Sequence, residues 1–158
     1  MTPSDWLPPL VLLRDSDGDW DAYLDVVYSW FKADFLDSLP AYPGKRFALK
    51  RHPLKEGRER TFWHIITEGP DEYNRQVRED RCERIRWPRP IIEAMLTGNV
   101  LVWKNKRKRE TRVLLALPDF SYLVVLADRG EYILPWTAYP VTMPHYRKRL
   151  RQEYEAYR

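Results

Sequence analysis

The chain has 158 residues, 44% of them hydrophobic and 14% aromatic, with 27 basic and 23 acidic side chains and a net charge of +4. That length and apolar content fit one folded domain with its own core and exclude a disordered tail. Cys82 is the single cysteine, so no intramolecular disulfide can form and a reducing compartment is favoured.

The charge is unevenly spread. Residues 1–44 carry 2 basic and 8 acidic side chains, residues 45–112 carry 19 and 10, and residues 113–158 carry 6 and 5. A basic middle third suits a phosphate-binding protein, because neutralising phosphates releases condensed counterions. The same charges also serve as an ordinary solvated face. The opening MTPSDWLPPLVLL lacks a basic start and is broken by prolines, so it does not read as a signal peptide. No apolar run approaches the ~20 residues that cross a membrane. The expectation is a soluble cytoplasmic protein with no membrane partner.

In chain order, PPLVLLR reads as extended, since residues before proline are pushed out of the α region. Asp17 or Asp19 can cap a helix over 20–37, in which Trp20, Leu24, Val27, Phe31 and Phe35 recur at helical spacing. Residues 46–51 predict a short strand, and KEGRER at 55–60 a loop or hairpin tip. TFWHIIT at 61–67 reads as a strand with Phe62, His64 and Ile66 on one face and Trp63 and Ile65 on the other. Gly69-Pro70 ends it. A charged surface helix is expected over 71–86, with Tyr73, Val77 and Ile85 as its thin apolar line, followed by a short helix over 91–96.

The strongest β signal lies in 99–141. Four runs rich in Leu, β-branched and aromatic residues, 101–103, 113–117, 122–126 and 132–134, are separated by KNKRKRE, PDFS and DRGE. This predicts an antiparallel meander, followed by a basic helix over 145–157. The class is therefore α+β, a single domain over 1–158. Within it lie an acidic helical extension at 1–44, a core at 45–141 and a C-terminal helix at 142–158.

No Walker loop, Rossmann fingerprint, nucleophile elbow or zinc-protease motif occurs, so no cofactor is implied. The three histidines, His52, His64 and His145, lack metal-ligand spacing, so no metal site is expected. An imidazole such as His64, inside an apolar segment, suits acid or base work in phosphodiester cleavage; it equally suits a core histidine bonded to backbone. Arg58 and Arg60 sit just upstream, and Arg81, Arg84 and Arg86 line the charged segment, where helical pairing competes with phosphate binding. Thr137 and Tyr139 share one face by period two and offer a hydroxyl and a phenol. The basic tip formed by Lys104, Lys106, Arg107, Lys108 and Arg109 suits a nucleic-acid backbone or simple solubility.

The FWHI segment, ERIRWPRPIIE and YLVVLADRGEYILPWTAYPV with its T-A-Y end together resemble the phage-associated branch of the barnase–EndoU–colicin–RelE-like nucleases, over roughly 58–141. The resemblance implies a small α+β fold whose sheet cradles RNA. It also implies metal-independent transesterification to a 2′,3′-cyclic phosphate, and a toxin or phage-conflict role with an inhibitor or antitoxin partner. It places His64 as acid/base, Arg129 on phosphate, and Thr137 and Tyr139 in the site. The matching strands hold no second histidine, so Tyr139 or Glu68 would have to supply the other proton transfer. The alternative is a non-catalytic RNA- or DNA-binding module or an interaction domain of a mobile element.

Overall fold

The computed structural model describes residues 5–71 and 74–158. After a 3-10 turn at Leu13–Ser16 comes α1 (Trp20–Phe35), whose Asp19 side chain caps the Ala22 amide at 3.2 Å. Tyr23, Leu24, Val27, Phe31 and Phe35 form its buried stripe, at the spacing that the sequence displays. The acidic N-terminal segment thus supplies part of the core. Strand β1 (Arg46–Phe47) is shorter than the expected 46–51.

The segment 61–67 is a helix, not the expected strand: α2 spans Arg60–Ile66, and Thr61 through Ile66 are all buried. It lies between α1 and the sheet, with Phe62 edge-on to Tyr28 and Phe31. A segment buried all round has no polar side to reveal its period, so an apolar run of this length cannot be assigned by alternation. Its first amides are satisfied by a neighbouring loop: Arg60 and Thr61 N–H donate to the Arg51 and Lys50 carbonyls.

The helix expected over 71–86 is also not formed. A two-stranded antiparallel ribbon joins β2 (Thr67–Glu68) to β3 (Gln76–Val77), and only α3 (Glu79–Glu83) is helical. Ile85 is fully buried and Val77 is exposed, while Tyr73 lies outside the described residues. The arginines explain the break. Arg75 donates to the Thr67 hydroxyl, the Thr67 carbonyl and the Gly69 carbonyl at 2.9, 2.6 and 2.8 Å, which holds the chain as a ribbon against β2. Then follows α4 (Pro88–Ala94), opened by prolines whose missing N–H is harmless in a first turn.

The meander is as expected: β4 (Leu101–Arg107), β5 (Glu110–Ala116), β6 (Tyr122–Asp128) and β7 (Tyr132–Pro140), antiparallel in sequence order. β1 adds a parallel edge beside β7. The basic tip is mostly strand, since Arg107 faces Glu110 and only Lys108 and Arg109 form the turn, at φ of 49° and 72°. Two positive φ values match the hairpin turn whose twist suits the flanking strands.

The two sheet faces differ. Val113, Leu115, Tyr122, Val124, Leu126, Ile133 and Ala138 join the main core with α1, α2 and α4. Trp103, Leu114, Phe120, Leu123 and Val125 belong to a smaller cluster on the other face, against which Leu150 and Tyr154 of α5 (Pro144–Tyr157) pack. No residue of α5 is fully buried, and a groove remains beside it.

The β4–β5 turn yields a first prediction. Replacing Lys108-Arg109 by Asn-Gly should raise stability by about 1 kcal/mol, because both residues stand where side chains with a Cβ are strained. A urea melt with an unchanged or lower midpoint would refute that strain.

Candidate nucleic-acid interface

The groove has a volume of about 960 Å³ and runs between the second sheet face and α5. Its floor includes Leu114, Leu123 and Val125, and its walls carry Arg78, Arg81, Lys106, Arg107, Arg112 and Arg149 against Glu68, Asp80 and Glu153. Among the described residues, six cations against three acids make it a basic groove. Trp136, Tyr139, Tyr146 and Tyr157 add aromatic surface.

Arg81 is the centre of its inner end. Its side chain is only 10% exposed, yet it lies on a five-residue helix. One guanidinium nitrogen donates to the Thr67 carbonyl and, at 3.3 Å, to Thr137 Oγ1. Thr137 in turn donates to the His64 carbonyl at 3.1 Å. The other nitrogen lies 3.7 Å from a Glu68 carboxylate oxygen, and Arg78 approaches the second oxygen at 3.5 Å. The guanidinium stacks over Tyr139, 4.9 Å from its centroid. Burial raises the Tyr139 phenol above its ordinary range, against the pull of Arg81 and Arg107, so it keeps its proton at neutral pH.

This places the residues proposed from sequence. Thr137 and Tyr139 lie together on the groove side, as their period-two spacing requires, since their partners Val125 and Leu123 face the groove. Lys106 and Arg107 line the groove, while Lys104, Lys108 and Arg109 are exposed beyond it. Arg129 is drawn to Glu110 at 2.7 Å and does not line the groove. Arg58 pairs with Asp25 at 2.5 Å and covers the Tyr28 ring. Arg60 stands with Lys50, Thr61, His64 and Trp136 in a separate narrow niche.

His64 is apart from the groove. It is 4% exposed and packs edge-on to Trp136 at 4.9 Å. Burial, then the charges of Arg75, Arg60 and Lys50, lower its pKa from 6.5 to about 4, partly offset by a hydrogen bond to the Trp136 backbone. The neutral ring is thus a packed, bonded core histidine. Arg81, Arg78 and Glu68 are the groove residues that local spacing did not single out as a set. Arg84 donates to the Asp80 carbonyl at 2.9 Å and Arg86 lies over Trp30 at 4.0 Å, so both serve packing. Among the described residues, no group of three or more His, Cys, Asp or Glu side chains is placed to hold a metal.

No family model, curated protein or solved structure matches the chain. No helix of the described residues is long and apolar enough to cross a membrane.

The lowered His64 pKa has a sign that can be measured. The folded chain keeps the ring neutral, whereas the unfolded chain takes up a proton below about pH 6.5. The contribution is therefore intact above pH 6.5 and is lost as pH falls towards 4, by on the order of 3 kcal/mol across that window. Urea midpoints between pH 7.5 and 4.5 should fall less steeply for His64→Gln than for the wild type. Equal slopes would mean that His64 titrates as an exposed ring does.

Proposed function

We propose that the chain is an RNA-binding, metal-independent endoribonuclease, with its centre at Glu68, Arg81, Thr137 and Tyr139 rather than at His64. The observation that carries this reading is the near-buried Arg81 guanidinium at the end of a basic groove, flanked by a carboxylate and a phenol. In-line transesterification needs three things: a base for the ribose 2′-hydroxyl, an acid for the departing 5′-oxygen, and cations on the phosphorane.

Glu68, 48% exposed, takes the 2′-proton. The 2′-oxygen forms its bond to phosphorus as the bond from phosphorus to the 5′-oxygen breaks. Tyr139, kept protonated by burial, gives its proton to that oxygen, leaving a 2′,3′-cyclic phosphate and a 5′-hydroxyl. Arg81 and Arg78 neutralise the phosphorane oxygens, and the Thr137 hydroxyl fixes the Arg81 fork. The groove's surplus of cations supports a polyanionic substrate, and its tyrosines support stacking of unpaired bases. The resemblance to barnase–EndoU–colicin–RelE-like nucleases agrees in activity and in Thr137 and Tyr139 but not in its placing of His64, and it implies the cytoplasm as the place of action and an inhibitor protein as partner.

A second reading, RNA binding without cleavage, is favoured by one observation: none of the three histidines lines the groove.

Incubation of total RNA with the protein in EDTA separates the two. Cleavage leaving cyclic phosphates is expected from the wild type. Glu68→Gln and Tyr139→Phe should lower the rate about 10²- to 10⁴-fold, and Arg81→Lys about 10²-fold or more. His64→Gln should retain cleavage at temperatures where it remains folded. Salt-sensitive RNA retention without product would replace the nuclease by the binding module. Loss of cleavage in a folded His64→Gln protein would return the histidine to the chemistry.

A further inference from the structure

The bulge in β7 sets apart one residue that the proposed chemistry does not use. Leu126 faces Pro135 and Val125 faces Thr137, so Trp136 between them has no opposite number. A bulge of this kind re-aims a side chain out of the alternation of its strand. The Trp136 ring is half-buried, lines the groove, and is surrounded by cations. The Arg112 guanidinium lies 4.8 Å from its centroid, the Lys50 ammonium 5.6 Å and the Arg129 guanidinium 5.9 Å. Glu110 holds Arg112 and Arg129 at 2.7 Å each. Lys50 is exposed and has no carboxylate partner among the described residues.

Among the described residues, three cations against one acid leave this knot net positive. Each cation–π contact at an exposed ring is worth only about 0.5–1 kcal/mol, and the three cations repel one another. An anion drawn to Lys50 and Arg112 relieves that repulsion, and an exposed Lys50 that turns to it uncovers the part of the indole it lies over. Because Trp136 and Arg112 both line the groove that holds Arg81, the knot opens onto it.

We propose that Trp136, Lys50 and Arg112 form a second nucleotide subsite for unpaired RNA. Lys50 and Arg112 take the phosphate next to the one at Arg81, and the indole stacks the attached base. The inference rests on the reading of the groove as an RNA site, and it adds that the site engages consecutive nucleotides of a single strand. Arg112 contributes to both subsites. Lys50 and Trp136 distinguish them.

The test is fluorescence anisotropy with labelled 2′-O-methyl RNA, whose blocked 2′-oxygen prevents cleavage, as a dinucleotide and as an octanucleotide. For the octamer, Trp136→Leu should weaken binding about fivefold or more, the loss of one stacked base. Lys50→Ala, at an exposed position that leaves the fold intact, should lower the slope of log affinity against log salt by about 0.7. Neither change should alter dinucleotide binding, which Arg81→Lys should weaken. Unchanged octamer affinity and slope in Lys50→Ala and Trp136→Leu, with the wild type binding tightly, would overturn the second subsite alone. Equal losses on both oligonucleotides would overturn it as well. A wild type that binds neither oligonucleotide would overturn the groove as an RNA site, and the subsite with it.

Discussion

A guanidinium removed from water must be matched by acceptors, and Arg81 imposes that requirement on three otherwise independent pieces of chain. Its partners are the Thr67 carbonyl on β2, the Glu68 carboxylate beside it and the Thr137 hydroxyl on β7, with the Tyr139 ring beneath. The five-residue α3 that carries it is far too short to stand alone. Buried Cys82 and Ile85 hold the segment from below while Arg81 holds it from the side. Arg75 fixes the other end by clamping Thr67 and Gly69. Stability gives a weak reason for such an arrangement, because a buried charge network is often matched or bettered by apolar side chains of similar volume. The charge is kept nearly buried at the wall of a basic groove, and packing alone does not require it there.

Most of the architecture was legible because local and tertiary preferences agree in it. In α1 the apolar stripe recurs at helical spacing and faces the core that needs it. In the meander, apolar runs and the turns between them recur in order, although the expected tip at 104–110 is mostly strand and its turn is confined to Lys108 and Arg109. The misreadings lie where tertiary contacts decide. Residues 61–66 are buried on every side, so their order of apolar residues carries no period. Residues 71–86 looked like a solvated helix because their arginines have ready acidic neighbours in sequence. Arg75 and Arg81 instead reach acceptors 6 to 56 residues away. Thr137 and Tyr139 could be paired from their spacing. Their joining to Arg81 and Glu68 could not, since no local pattern encodes a contact across half the chain.

Electrostatics sets His64 apart from the groove, although Trp136 adjoins both. On one side His64 is buried among Arg60, Arg75 and Lys50, and desolvation and like charge both favour its neutral form. On the other, Arg81 keeps its charge beside Glu68 and a protonated Tyr139. A histidine with a pKa of about 4 is a poor proton donor at neutral pH, whatever its distance from a substrate. Its backbone carbonyl is nonetheless part of the site, because it accepts the Thr137 hydroxyl and so aims the Thr137 oxygen at Arg81. The acidity of the first 44 residues is spent on the opposite side of the sheet, where α1 packs and Asp25 meets Arg58. The groove's positive field is therefore not cancelled by the chain's own acidic end.

The outer wall of the groove is held differently from its centre. α5 docks through Leu150 and Tyr154, with Glu153 accepting the Asn105 amide at 2.6 Å, and none of its residues is fully buried. Beneath it the Trp103 indole N–H and the Asn105 amide oxygen are buried without partners among the described residues. Each such group weakens the docked arrangement relative to one open to water, where both would be hydrated. α5 is thus the α-helix that packs without a fully buried residue. Every partner of Arg81 comes from β2, β7 or Glu68, and none from α5. The contacts that hold the guanidinium are thus separate from those that hold α5.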